Sequence, residues 1–340
     1  MTILFSSFGT GLNIDAFDVS VIGQGVLTQA DQNAITAILP SGGDFSLSGS
    51  FTYSGGTLSA GTVTSVDFSD PGDPGSFHAS FTNFSAIEAA TWLVAGNTQA
   101  ALNALLGGND TITGDSGHVN LLRGLSGDDD IYMVGNSPGT DSMFGGTGND
   151  TISDGTTGGN HYLRGDDGND LIIGASGGFD DINGNKGNDT IDGGAGGNDW
   201  LVGGQGDDLI TAHAGQNILY GNLGDDTLHA GSGGDLMRGG QGNDSIVGGA
   251  GNDWISGDRG NDTISGGGGA DTFHTFSGAG LDRVLDFHLA EGDRVQVDAG
   301  THYTVTQVGA DTVIDMGGGD QMVLVGVQMS TLTTGWIFAL

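Results

Sequence analysis

The chain has 340 residues, 42 of them acidic against 7 basic, for a formal net charge of −35, and it carries 69 glycines and no cysteine. A surface this negative repels nucleic-acid phosphates and acidic lipid head groups, so no nucleic-acid partner and no membrane insertion are expected. No apolar run is long enough for a spanning helix, and cysteine chemistry of any kind is excluded.

Almost every acid is an aspartate; Glu88 and Glu291 are the only glutamates. A merely solubilising surface would use both, whereas the short aspartate side chain suits tight turns and hard-cation coordination. The opening "MTILFSSFGTGLNIDAF" has neither a basic n-region nor a sustained apolar h-region, so no cleaved N-terminal signal peptide is expected.

Residues 1–106 read as a small β-rich domain with a helical exit. Phe45, Leu47, Phe51 and Tyr53 share one parity and Leu58, Thr62, Val66 and Phe68 the other, with Ser54-Gly55-Gly56-Thr57 as a hairpin turn between them. "SFHASFTNF" reads as a further strand. "SAIEAATWLVAG" and "NTQAALNALLGG" read as two short helices, N-capped by Ser85 and Asn97 and stopped by glycine.

From Gly107 a nine-residue phrase takes over, G-G-x-G-N-D-x-U-x, where U is large and apolar. The U positions are assigned to Ile112, Leu121, Ile131, Met143, Ile152, Leu163, Ile172, Ile182, Ile191, Leu201, Ile210, Leu219, Leu228, Met237, Ile246, Ile255, Ile264 and Phe273. From Leu201 onward they recur every nine residues without exception. Glycine permits the strained angles of a tight loop, and x-U-x is a minimal strand whose U points one way and whose neighbours point the other. A single unit cannot bury its U residue, so units must stack, two to a coil. Successive coils then lie about 4.8 Å apart, the ordinary strand spacing.

Stacking the loops also stacks their sixth-position aspartates. Carboxylates at that separation repel unless a cation lies between them. Loop carbonyls and aspartate oxygens make a hard, all-oxygen donor set that suits Ca²⁺ better than Mg²⁺, Zn²⁺ or copper. Numbering the loops from Gly107, the odd loops carry Asp110, Asp129, Asp150, Asp170, Asp189, Asp208, Asp226, Asp244 and Asp262, an unbroken column. The even loops carry Val119, Asp141, His161, Asp180, Asp199, Asn217, Asp235, Asp253 and Asp271. Counting adjacent aspartate pairs gives an expectation of roughly ten to twelve bound Ca²⁺ in the roll.

The phrases "GGTGNDTI", "GGQGDDLI", "GGQGNDSI" and "GGAGNDWI" resemble the glycine-rich nonapeptide of the RTX (repeats-in-toxin) proteins, a calcium-binding parallel β-roll repeat. The resemblance covers residues 107 to about 273. The tail "GADTFHTFSGAGLDRVLDFHLAEGDRVQVD" is similar to the domain that closes the roll in serralysin-type secreted proteins. That resemblance implies an uncleaved C-terminal signal, here in the final strands ending "GWIFAL", read by type I secretion machinery. It further implies an extracellular or bacterial cell-surface location. The expected architecture is all-β: a parallel β-roll over 107–273, preceded by the small β-rich domain and followed by a β cap with the secretion signal over 274–340.

All three losses of the sixth-position aspartate fall in even loops. Of the five U-to-U spacings other than nine, four enter even loops. Two explanations stay open: the even edge near Pro138, His161 and Tyr162 is a contact surface, or drifted repeats have lost ligands harmlessly. No H-E-x-x-H, G-x-S-x-G or G-x-x-x-x-G-K-[ST] motif is present, so no catalytic residue is assigned and the chain is not expected to be an enzyme. The leading expectation is a calcium-folded secreted protein with a structural role at the bacterial surface, self-associating into a layer, filament or matrix. The alternative is a secreted adhesin or carbohydrate-binding module using Trp92, Trp200, Trp254 and Trp336.

Overall fold

A computed structural model describes the strands Val26–Ala30, Ala34–Ile38, Asp44–Ser54, Thr57–Ser69 and Phe77–Ser85, and residues 108–114, 121–133 and 139–340. The two expected helices lie outside the described residues, as do Trp92, Val119 and Pro138. The chain divides into two compact units, Met1–Thr156 and Thr157–Leu340.

In the first unit five strands form an antiparallel meander, each paired with the next. The expected hairpin closes with Ser54 opposite Thr57. The last meander strand, Phe77–Ser85, pairs antiparallel with Thr111–Gly114. That strand opens a parallel ladder to Asp130–Met133 and then Thr151–Ser153, with Ile112, Ile131 and Ile152 aligned. An exposed edge of a parallel sheet would offer unpaired N–H and C=O groups; here the meander covers it.

The register corrects one U assignment. Leu122, not Leu121, lies opposite Met143, while Leu121 faces Ser142. Leu122 is buried, and a one-residue slip in register would exchange inward for outward positions. The ten-residue step therefore precedes Leu122 rather than Ile131. All five irregular spacings then enter even loops.

The second unit consists chiefly of two parallel sheets whose strands alternate along the chain. One contains Leu171–Ile173, Thr190–Asp192, Leu209–Thr211, Thr227–Ser232, Ser245–Ala250, Thr263–Gly268 and Leu281–Val284. The other contains Asn160–Asp167, Phe179–Lys186, Trp200–Gln205, Ile218–Leu223, Leu236–Gln241, Trp254–Arg259, Thr272–Thr275 and Arg294–Val297. Each coil contributes one strand to each sheet. Side chains alternate out and in along most strands of the two parallel sheets, as the pleat requires; Ser245, Ile246, Val247 and Gly248 are one such run. The inward U residues, from Leu163 to Phe273, are fully buried. A single glycine-rich coil could not bury them alone, so the core exists only between coils.

The parallel ladders do not stop at Phe273. Leu281–Val284 and Arg294–Val297 extend them by one coil, burying Val284 and Val295. Beyond that coil the strand Asp320–Leu324 pairs parallel with Leu281–Val284, and Ile337–Ala339 pairs parallel with Arg294–Val297. A small antiparallel meander, Thr304–Val308, Asp311–Gly317 and Asp320–Leu324, completes the C-terminal end. Among the described residues the one helical element is the 3₁₀ turn Met329–Thr331.

The alternation is testable at adjacent positions. Ile246→Ala, which empties a fully enclosed site, is expected to lower unfolding free energy by about 2–5 kcal/mol. Val247→Ala, on the outward side of the same strand, is expected to cost less than about 1 kcal/mol. Denaturant unfolding of both variants in saturating calcium makes the comparison; equal losses would contradict this in-out assignment.

Candidate metal centre

The loop Gly239-Gly240-Gln241-Gly242-Asn243-Asp244 shows how the repeat builds its site. Gly240 and Gly242 have φ of 120° and 138°. A β-carbon at either would overlap a carbonyl oxygen of the preceding coil, Asn222 O or Gly224 O. Glycine is needed there both for its positive φ and for close approach. The chain then turns inward, burying Asp244 behind the loop.

Asp244 uses its two oxygens differently. Oδ1 accepts the backbone N–H of Asp226, one coil earlier, at 2.9 Å. Oδ2 is buried and makes no hydrogen bond. A β-carbon at Gly239 would overlap Asp244 Oδ2 and stand 2.7 Å from the carbonyl oxygen of Gly257 in the next coil. The glycine thus leaves a cradle between a lone carboxylate oxygen and a neighbouring carbonyl.

The pattern recurs along both edges of the second unit. On the odd edge, backbone N–H groups of Asp170, Asp189, Asp208 and Asp226 donate to Oδ1 of Asp189, Asp208, Asp226 and Asp244, at 2.8–2.9 Å. Asp244 donates to Asp262 at 2.8 Å. On the even edge His161, Asp180, Asp235 and Asp253 donate to Asp180, Asp199, Asp253 and Asp271, at 3.2, 3.0, 2.8 and 2.9 Å. In the first unit Asp110 donates to Asp129, and Asp129 to Asp150, both at 2.8 Å. All fifteen candidate aspartates, from Asp110 to Asp271, including Asp141 of the first unit, are buried. Oδ2 of Asp110, Asp129, Asp189, Asp208, Asp226, Asp235, Asp244, Asp253, Asp262 and Asp271 makes no hydrogen bond.

Burial raises the pKa of several of these groups, and neighbouring carboxylates add to the effect at some of them. Asp208 is pushed up to about 8, and Asp129, Asp244 and Asp253 to about 7, by desolvation first and by flanking aspartates second. Desolvation also raises Asp199 to about 7 and Asp189, Asp226 and Asp271 to about 6. A buried charge is tolerated only when paired or coordinating a metal. The ion pairs Arg164–Asp181, Lys186–Asp167, His213–Asp192, Arg238–Asp258 and His274–Asp298 engage other aspartates. The donor set around the lone oxygens, carboxylate and carbonyl, fits a hard divalent cation of calcium's size.

Two features escaped sequence reasoning. The fifth loop residue forms a second ladder of opposite sense, its side-chain oxygen accepting from the coil that follows. Asn169 accepts from Asn188 N–H at 2.7 Å, Asp207 from Asp225 at 2.9 Å, and Asn243 from Asn261 at 3.1 Å. Its signal was an unbroken run of Asn or Asp at that odd-edge position from Asn109 to Asn261. Secondly, each column runs one member past the glycine-rich loops. Asp262 N–H faces Asp282 Oδ1 at 3.4 Å and Asp271 N–H faces Asp293 Oδ1 at 3.0 Å. Asp282 is 1% exposed with Oδ2 unpartnered, and burial beside Asp262 raises it to about 8.

The even positions without aspartate differ from one another. His161 is buried, its Nε2 lying 3.1 Å from Gly158 O. Asn217 is buried and keeps the backbone ladder, accepting from Asp199 N–H at 2.9 Å. Outside the loops, Tyr162 and Trp200 are 45% and 42% exposed. Arg164 lies over the Tyr162 ring at 5.4 Å, and Trp200 meets Tyr220 edge-on at 6.5 Å. Trp254 instead stacks on His274 at 5.0 Å and donates to Gln296, while Trp336 is buried against Phe287.

The family described as the RTX calcium-binding nonapeptide repeat matches residues 136–156, 175–196, 194–228, 229–264, 238–273 and 247–280. Among solved structures, the AlgE6R3 subunit of the Azotobacter vinelandii mannuronan C5-epimerase is similar at 28% identity with a TM-score of 0.28, covering 36% of this chain and 80% of that one. The extracellular lipase LipA of Serratia marcescens is similar at 20% identity with a TM-score of 0.29; the match covers 61% of this chain and 39% of the lipase. No curated protein matches the sequence.

The loop geometry separates two glycines of similar sequence context. Gly242→Ala, at φ 138° and against the Gly224 carbonyl, is expected to cost at least about 1–3 kcal/mol. Gly268→Ala, with no neighbour within 4 Å of its added carbon, is expected to change stability by less than about 0.5 kcal/mol. Melting temperatures in saturating calcium report both.

Proposed function

We propose that this chain, which carries RTX calcium-binding nonapeptide repeats between residues 136 and 280, is a secreted protein that folds on extracellular calcium and serves a structural, non-catalytic role at a bacterial surface. The observation that carries the reading is the column of buried aspartates. At Asp226, Asp244 and Asp253 a desolvated carboxylate whose Oδ2 makes no hydrogen bond lies beside a glycine cradle and a carbonyl. Asp110, Asp129, Asp150, Asp170, Asp189, Asp208, Asp226, Asp244 and Asp262 hold Ca²⁺ on one edge. Asp141, Asp180, Asp199, Asp235, Asp253 and Asp271 hold it on the other, and Asp282 and Asp293 extend the two columns. Calcium supplies positive charge between coils; the chain supplies the cradle, the spacing and the exclusion of water.

The sign of the coupling follows from charge. Without cations, a net charge of −35 and stacked buried carboxylates oppose collapse, so the chain stays unfolded where calcium is scarce. Millimolar calcium folds it by binding only the folded form. Type I export of an unfolded chain, with folding outside, is the sequence of events this coupling permits. Self-association is the structural reading of the exposed apolar side chains on the roll, among them Leu171, Phe179 and Leu209. A glycan-binding role is the second reading, favoured by the exposed rings of Tyr162 and Trp200 beside Tyr220.

Chelation is expected to abolish the β-type circular dichroism of the chain, and millimolar calcium to restore it; a signal that survives chelation would overturn the proposal. Electron microscopy of the calcium-loaded protein separates the two roles, ordered polymers supporting assembly and dispersed particles that bind glycans supporting the alternative. Asp244→Asn retains the Oδ1 acceptor for Asp226 N–H but removes the charge. It is expected to lose at least about one bound ion per chain, as read by atomic absorption after gel filtration. Unchanged ion content would remove Asp244 from the ligand set.

A further inference from the structure

We propose that Asn217 takes the place of calcium on the even edge, closing the step between Asp199 and Asp235 without a cation. This inference rests on the calcium reading above. Asn217 is 2% exposed and occupies the sixth loop position. Its orientation is fixed by the ladder: Oδ1 accepts Asp199 N–H at 2.9 Å, so Nδ2 points where an aspartate would present Oδ2. That Nδ2 is buried and makes no hydrogen bond. An amide –NH₂ has donors and no lone pair to offer a metal. At this loop the group facing the cation position is therefore a cation-repelling one.

One further observation agrees. The Asn217 N–H to Asp235 Oδ1 bond, at 2.6 Å, is the shortest of the even-edge ladder in this unit. At this step the even-edge loops are joined by hydrogen bonds.

The charge balance explains why this is tolerated. With a neutral residue at 217, Asp199 and Asp235 face each other across two coil spacings, about 9.6 Å. At that distance their repulsion is about half that at one spacing, which weakens the demand for a bridging cation. The odd edge has no such step: Asp208 and Asp226 stand at the same level with charge intact. Calcium on the even edge of this unit is thereby divided into two groups, around Asp180 and Asp199 and around Asp235, Asp253 and Asp271.

The test is a gain of sites in the full chain. The variant Asn217→Asp restores the sixth-position carboxylate and is expected to bind about one or two more Ca²⁺ per chain than the wild type, measured by atomic absorption after gel filtration in saturating calcium. A folded variant with unchanged ion content overturns the proposal. Anomalous scattering from crystals of the calcium-loaded wild type decides independently of whether the variant folds. No ion in contact with Asn217 supports the proposal; an ion coordinated at Asn217 overturns it. A wild type that binds no calcium anywhere fails the functional reading itself, an outcome distinct from both.

Discussion

The structure depends on one electrostatic constraint: carboxylates stacked one coil apart and buried behind glycine loops must have their charge answered. Hydrogen bonding answers half of it, since each Oδ1 receives a backbone N–H from the neighbouring coil. The other oxygen of Asp189, Asp208, Asp226 and Asp244 makes no hydrogen bond. Protonation is one remedy, and burial drives the acidity constants in that direction. A shared divalent cation is the other, and it alone also joins the coils. With only 7 basic residues in the chain, lysine and arginine could not replace it.

The remaining features follow from bringing loops close enough for that cation. Positive φ at Gly240 and Gly242 lets one loop rest on the carbonyls of the loop before it. The glycine that opens the loop gives up its side chain so that the carboxylate can lie against the backbone. The U residues fill what space is left, and no other core exists in a coil this thin. Loop, ladder and core are thus three results of one spacing.

Much of this was legible in the sequence because a strict period fixes both face and neighbour. The aspartate columns, the U residues from Ile131 onward and the hairpin at Ser54–Thr57 could be read by counting. Leu121 could not. In "HVNLLRG" two adjacent leucines satisfy the apolar requirement equally, and only pairing with Met143 selects Leu122. The fifth-position ladder was visible as a run of Asn and Asp, but those residues also suit turns, and the commoner explanation concealed the specific one. Asp282 and Asp293 follow loops that depart from the G-G-x-G-N-D phrase, although Gly280 still has a positive φ and rests on the Gly260 carbonyl. Their shared signal is the triplet Asp-Arg-Val, in "LDRV" and "GDRV", a sixth, seventh and eighth position.

Uneven coil lengths have a consequence for how a repetitive chain finds its own alignment. Identical coils can pair with the wrong neighbour at almost no cost, because every loop fits every other. Even-loop insertions make consecutive odd-column aspartates 19 residues apart at Asp110–Asp129 but 21 at Asp129–Asp150, and 19 at Asp189–Asp208 before settling to 18. Threading the chain one turn out of step would set a long loop against a short one and leave surplus backbone with nowhere to go. The insertions act as the notches of a key: they give an otherwise degenerate polymer a single lowest-energy threading in the stretch before Leu201, and the perfectly periodic stretch after it is aligned by attachment to what precedes.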